Sequence, residues 1–208
     1  MSDVDPSVTP PGTPTPELAV VSWPSRFDLG AERALAEPAL AVPLLTLRDD
    51  GAVTMEVVTK KVMTVRHTHV LVSPAEGTAP NGAGSAGLRG QLLAVLRKPE
   101  TVSDLVYRWF RSAFGDPARH VVETVEAIGT ELGYYRRVVQ EGGALSRVFG
   151  HKVTYEPITE HRALLEPLAD ALGERWRALA RDEPDLYREL LADVTRAIER
   201  RHEDHALQ

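Results

Sequence analysis

The chain has 208 residues, no cysteine and a formal net charge of −6. Its length suits one domain, or one domain with an appended helical unit. The absence of cysteine excludes disulfides, thiolate metal sites and cysteine nucleophiles. The acidic balance, with a pI near 5.7, speaks against a dedicated nucleic-acid binder. No stretch reaches the about 20 apolar residues of a membrane span, and the acidic, Pro-rich start lacks the basic and apolar regions of a secretory signal. A cytoplasmic protein is expected.

Pro6, Pro10, Pro11, Pro14 and Pro16 punctuate residues 1–16. Proline removes backbone donors and opposes helix, so this segment reads as a disordered or extended tail. Leu18 to Trp23 reads as a short strand, and Ala31 to Leu35 as one helical turn ended before Pro38. Val53, Met55 and Val57 then alternate with Thr54 and Glu56, while Met63, Val65, His67, His69 and Leu71 share a parity. Period 2 with β-branched residues argues strands. Asp49-Asp50-Gly51 is a turn signal. These segments predict a three-stranded antiparallel meander of Leu44–Leu47, Val53–Val58 and Met63–Leu71, with a reversal near Lys60-Lys61. Residues 73–87 are small and flexible and read as a loop.

Three amphipathic helices follow. The first carries Leu88, Leu92, Leu93 and Leu96. The second carries Val102, Leu105, Val106, Trp109, Phe110 and Ala113, with Thr101 as N-cap and Asp104 completing an acidic capping box. The third opens at Asp116-Pro117, repeats Val121, Val125, Ile128, Leu132 and Tyr135 at helical spacing, and takes Gly133 as C-cap. Lys152–Tyr155 reads as a short strand. A stripe of Leu164, Leu165, Leu168, Leu172, Trp176 and Leu179, kinked at Pro167, and a second of Tyr187, Leu190, Leu191, Val194 and Ile198 predict a helical hairpin broken at Asp182-Glu183-Pro184. The fold class is therefore α+β: a small antiparallel β-meander, a winged-helix-like three-helix core and a C-terminal helical hairpin. The expected divisions are the tail at 1–16, the meander and three-helix domain at 17–140 with its loop 73–87, and the hairpin at 141–208.

Few motifs carry chemistry. Gly82-Ala83-Gly84-Ser85-Ala86-Gly87 matches G-x-G-x-x-G, but the preceding strand ends about ten residues early and Asp104 falls inside a helix, so a small-residue loop is the reading. His67 and His69 point to one face of a strand as a metal-ligand pair, with His120, His151 or His161 to supply a third donor. Two histidines on a half-exposed sheet face are the alternative. His202, Glu203, Asp204 and His205 read as a frayed, solvated end. No G-x-S-x-G elbow or supported S-x-x-K motif is present, and the C-terminal carboxylates lie on polar faces. No catalytic residue, cofactor-binding residue or cofactor is assigned. The sequence leaves enzyme status open, with a non-enzyme favoured. Trp109, Phe110, Tyr134 and Tyr135, with the basic pair Arg136 and Arg137, form the candidate partner-binding set: mostly core, or a groove beside the third helix.

Residues 88–140 read as a helix-turn-helix module. Lys98-Pro99-Glu100-Thr101-Val102-Ser103-Asp104-Leu105-Val106 fits a stretch of the form (R/K)-x-x-T-V-x-(D/E)-(I/L)-V, and Gly115 stands six residues before Val121 in a helix that closes at Leu132-Gly133. Over 43–135 the chain resembles winged-helix domains, most of all the PqqD-type peptide-recognition domains. That resemblance implies binding of a leader peptide as an added strand; no binding residue is carried over from it. The third helix offers Arg119, His120, Glu123, Thr124, Glu126, Ala127, Thr130 and Glu131 outward, and its glutamates repel phosphate. The leading expectation is a non-catalytic adaptor for a protein or peptide, using a strand edge at Val53–Val58 or Val65–Val72. The alternatives are a DNA-binding regulator and a metal-dependent enzyme built on His67 and His69. Self-association through the C-terminal helices is a further expectation.

Overall fold

The structure, a computed structural model, describes residues 11–27, 35–62, 65–76, 87–113, 115–140 and 152–206. Helix α1 spans Pro16–Ser22 and a 3-10 turn Pro24–Phe27 follows; α2 spans Ala36–Asp49. Strands β1 (Val53–Val62) and β2 (Val65–Pro74) form an antiparallel hairpin. Next come α3 (Leu88–Val95), β3 (Glu100–Thr101), α4 (Val102–Trp109) and α5 (Pro117–Glu131). Strands β4 (Tyr135–Gln140) and β5 (Lys152–Pro157) make a second hairpin. The chain continues through α6 (Thr159–Arg162), a 3-10 turn, α7 (Glu166–Asp182) and α8 (Pro184–Ala206). The class is α+β, with two small antiparallel sheets and a C-terminal helical hairpin. Among the described residues, no helix is long and apolar enough to cross a membrane.

The N-terminal reading needs correction. Leu18 to Ser22 is helix, not strand, because Pro16 sits where a helix leaves its first N–H groups unpaired. The Pro-rich tail is bound from residue 11 onward: Gly12 N–H donates to Leu132 O at 2.7 Å, and the Tyr134 hydroxyl donates to Gly12 O at 2.9 Å. Residues 1–10 and most of the turn expected at Ala31–Leu35 lie outside the described residues.

The largest correction is α2. Leu44–Leu47, expected as the first meander strand, is helical, and the helix runs through both Pro38 and Pro43. Pro38 falls in the first turn, where it removes no helical hydrogen bond. Pro43 is interior and costs about 3 kcal/mol. Burial offsets that cost, because Ala39, Leu40, Ala41, Leu44 and Leu47 are all almost wholly buried. A helix apolar on every side has no 3.6-residue signature and cannot be told from a strand by period. Asp49-Asp50-Gly51 does make the turn, with Gly51 at φ 71°, but from helix into strand. The third strand of the first sheet is instead β3, which pairs Glu100 and Thr101 with Val72 and Leu71. The β1–β2 reversal falls just past the expected Lys60-Lys61, between Val62 and Val65.

The three expected helices form as α3, α4 and α5. Thr101 caps α4 by accepting from Asp104 N–H at 3.1 Å. Asp116 caps α5, and Gly133 ends it at φ 82°. Tyr135, expected on the last turn of α5, begins β4 instead. Pro167 starts α7 rather than kinking it. The C-terminal end is not frayed up to Ala206: α8 continues through it, and Asp204 accepts from the Tyr107 hydroxyl. Helix α8 packs chiefly on α4 and also touches α2 and β2, while α5 packs on α1, α2 and β4. One cluster unites Leu18, Leu44, Leu92, Leu105, Leu165 and Leu190, so the hairpin shares the core of the preceding segments.

Candidate partner-binding site

The register of the first sheet decides which strand edge is open. Residue 70 faces residue 57 across the hairpin. The Val70 N–H does not serve that pair; it donates to Asp193 Oδ2 at 2.7 Å. Thr68 O, of the same parity, accepts from Arg196 Nη2 at 3.1 Å. Backbone groups of alternate residues face opposite edges in an antiparallel sheet. Val70 and Thr68 therefore face away from β1, and their partners Val57 and Thr59 face away from β2.

The outer edge of β2 is closed in two steps. Strand β3 pairs with Leu71 and Val72. Beyond it, Asp193 and Arg196 of α8 take the next exposed groups. Asp193 is fully buried and also contacts His69 Nδ1 at 2.9 Å and Arg196 Nη2 at 2.5 Å. A buried carboxylate is tolerable only with such partners. Of the two expected edges, Val65–Val72 is thus engaged at Thr68 O, at the Val70 N–H and, through β3, at Leu71 and Val72.

The outer edge of β1 is different. Strand order β1-β2-β3 leaves it terminal. Among the described residues, no backbone group of Val53–Thr59 bonds outside the hairpin. Thr54, Glu56 and Thr59 are exposed; Val53 is buried, and Met55 and Val57 are partly buried against the core. One face of the strand is anchored, and among the described residues the edge N–H and C=O groups at residues 55, 57 and 59 have no partner.

The residues expected to carry function sort as follows. His67 is exposed and His69 partly buried, with ring centroids 6.4 Å apart. His120 packs 5.4 Å from the Trp109 ring, and burial pulls its pKa below the usual imidazole value. His161 contacts Gly133 O at 2.6 Å. Neither joins the pair, and His151 lies outside the described residues. Among the described residues there is no group of three or more His, Cys, Asp or Glu side chains that could hold a metal ion. Trp109, Phe110, Tyr134 and Tyr135 are buried. Trp109 Nε1 donates to Gln91 Oε1 at 2.9 Å, and Tyr135 pairs with Ser22 Oγ at 3.0 Å. Arg136 is exposed and forms an ion pair with Glu156 at 2.6 Å; Arg137 is exposed beside it.

The helix that follows the glycine run has its N-terminus filled by the protein itself. Gly87 precedes α3 at φ 82°, and Leu88 N–H donates to Glu17 Oε1 at 2.8 Å. A buried carboxylate stands where the motif would place phosphate. Residues 82–86 lie outside the described residues. Sequence reasoning missed Glu17, Asp193 and Arg196, because each acts on a segment more than 70 positions away and no local pattern marks such a pairing.

No family model, curated protein or solved structure matches the chain.

Proposed function

We propose that the protein is a non-catalytic adaptor that takes an extended polypeptide segment as an added strand along the outer edge of β1. The outer edge over Met55–Thr59, which no described residue pairs, carries this reading; α8 and β3 bind the opposite edge of β2. Edge strands attract pairing, and proteins cover the ones they do not use. Main-chain hydrogen bonds supply affinity in this mode, and alternate side chains supply selectivity. The reading accords with the resemblance to winged-helix peptide-recognition domains. In chain order, α3, β3, α4, α5 and β4–β5 follow the helix and wing sequence of that fold class, while β3 pairs with β2 and β4–β5 stand as a separate sheet.

The DNA-reading alternative gains little from α5. Its exposed side presents Arg119, Glu123 and Glu131, and Arg119 is paired with Glu123 at 2.7 Å. A phosphate backbone would meet more negative than positive charge there.

Selection from a displayed peptide library tests the reading. Enriched peptides should bind the parent protein and the Glu126→Gln variant alike. They should lose at least tenfold in affinity against Thr59→Pro, which removes an outward N–H at an exposed position where an edge strand tolerates proline. Equal binding to the proline variant, or no enrichment, would overturn the proposal. A stable dimer that Thr59→Pro dissolves would replace the peptide with a second copy of the chain.

A further inference from the structure

A second site lies away from the β1 edge. A cleft of about 790 Å³ opens between α1, α5 and β5. Its apolar wall includes Val21, Val122, Tyr135, Val153 and Tyr155. That volume is typical of small-ligand pockets, which combine an apolar lining with a few fixed polar groups.

The charged groups in the wall are almost all committed. Arg119 holds Glu123 at 2.7 Å. Asp116 accepts the Arg119 N–H at 2.9 Å as the α5 cap and faces His202 at 3.4 Å. Arg162 donates twice to Ser22 O, at 3.1 and 2.8 Å, and lies 4.6 Å from the centre of the Trp23 ring. Glu126 differs. Among the described residues its carboxylate has no hydrogen bond and no ion pair, although it is partly buried and lines the cleft.

We propose that this cleft binds a primary ammonium group on an apolar chain, with Glu126 as the counter-ion. A carboxylate withdrawn from water without a cation is costly, and a bound cation removes that cost. The apolar wall of Val122, Val153 and Tyr155 receives the methylenes, as an alkyl-ammonium stem requires. An anionic ligand would meet Glu123 and Glu126 together, and a neutral one would leave Glu126 uncompensated. The electrostatics agree. Burial first, and the neighbouring Glu123 charge second, raise the Glu126 pKa to about 7, with Arg119 pulling the other way. The titratable and charged groups that line the cleft with it are Asp116, Arg119 and Glu123 on α5, Arg162 on α6, Tyr135 on β4 and Tyr155 on β5.

The affinity must therefore depend on pH. The cation prefers ionised Glu126, which is about a tenth of the population one pH unit below its pKa. Hexylamine, 1-hexanol, hexanoate and Nα-acetyl-lysine methylamide are the probes, followed by calorimetry and by amide shifts of Val122, Val153 and Tyr155. Hexylamine is expected to bind about tenfold more tightly at pH 8 than at pH 6 and to lower the Glu126 titration midpoint. Hexanoate should not bind, and hexanol should bind more weakly by at least tenfold. Tighter binding of the lysine derivative than of hexylamine would assign the ammonium to a peptide side chain, and the reverse order to a free amine. Glu126→Gln should abolish both the affinity and its pH dependence. Val153→Trp, which fills the cleft and keeps the carboxylate, should abolish the affinity while the Glu126 titration stays observable. Equal binding of hexanol and hexylamine, retained affinity in Glu126→Gln, or shifts outside the cleft would overturn the proposal.

Discussion

Asp193 joins three parts of the molecule through one carboxylate. It lies on α8, accepts the Val70 N–H of β2 and contacts His69 and Arg196. Asp193→Ala leaves a buried N–H unpaired and strands Arg196 beside it. We expect a loss of about 3 kcal/mol in urea unfolding; a loss below 1 kcal/mol would mean that the contact does not hold the helix on the sheet. Glu17 makes the stability depend on pH. Burial raises its pKa above 4.5, against the pull of the Leu88 N–H bond and of Arg89. A carboxyl whose folded pKa exceeds its unfolded value binds more protons when folded. Stability then falls as pH rises from the unfolded value through the folded one. Glu17→Gln keeps an acceptor for Leu88 and removes the charge. Its melting temperature should exceed that of the parent at pH 8 and match it near pH 4. A difference that does not change with pH would contradict the account.

At the scale of elements, legibility followed amphipathicity. Helices α3, α4 and α5 were readable because Leu88 and Leu92, Leu105 and Trp109, and Val121, Val125 and Ile128 repeat at helical spacing, with Thr101, Asp116 and Gly133 marking their ends. Helices α1 and α2 were not, because their residues are buried on nearly every side and their valines and prolines favour other local readings. Strand β4 was hidden because Tyr135 continues the helical spacing of α5 past the glycine that ends it. The β1–β2 hairpin was visible as alternation, but its choice of open edge was not. That choice depends on Asp193 and Arg196, which lie more than 120 positions from the strand they cover. Close approaches between elements were equally silent. A Cβ on Gly173 would stand 2.5 Å from Arg26 O, so α7 meets the 3-10 turn after α1 through backbone. Gly173→Ala gains helix propensity of about 1 kcal/mol, yet it must push the turn away. Net destabilisation in thermal melts is expected, and a stabilised variant would show that the contact gives way freely.

Across the whole molecule, the sheet closes one edge and presents the other. Helix α8 spends its apolar stripe on the shared core, with Leu186, Leu190, Val194 and Ala197 buried, and its polar residues cover β2. The net charge is −6, and α5 exposes Glu123 and Glu131. Among the described residues, the outer backbone groups of β1 at Met55, Val57 and Thr59 have no partner. Amide hydrogen exchange resolved to single residues tests this most directly. In the free monomer, Met55, Val57 and Thr59 should exchange fast while Glu56 and Val58 between them stay protected, and a library-selected peptide should protect the first three. Protection of Met55, Val57 and Thr59 without peptide, or fast exchange of all three with peptide bound, would contradict the account.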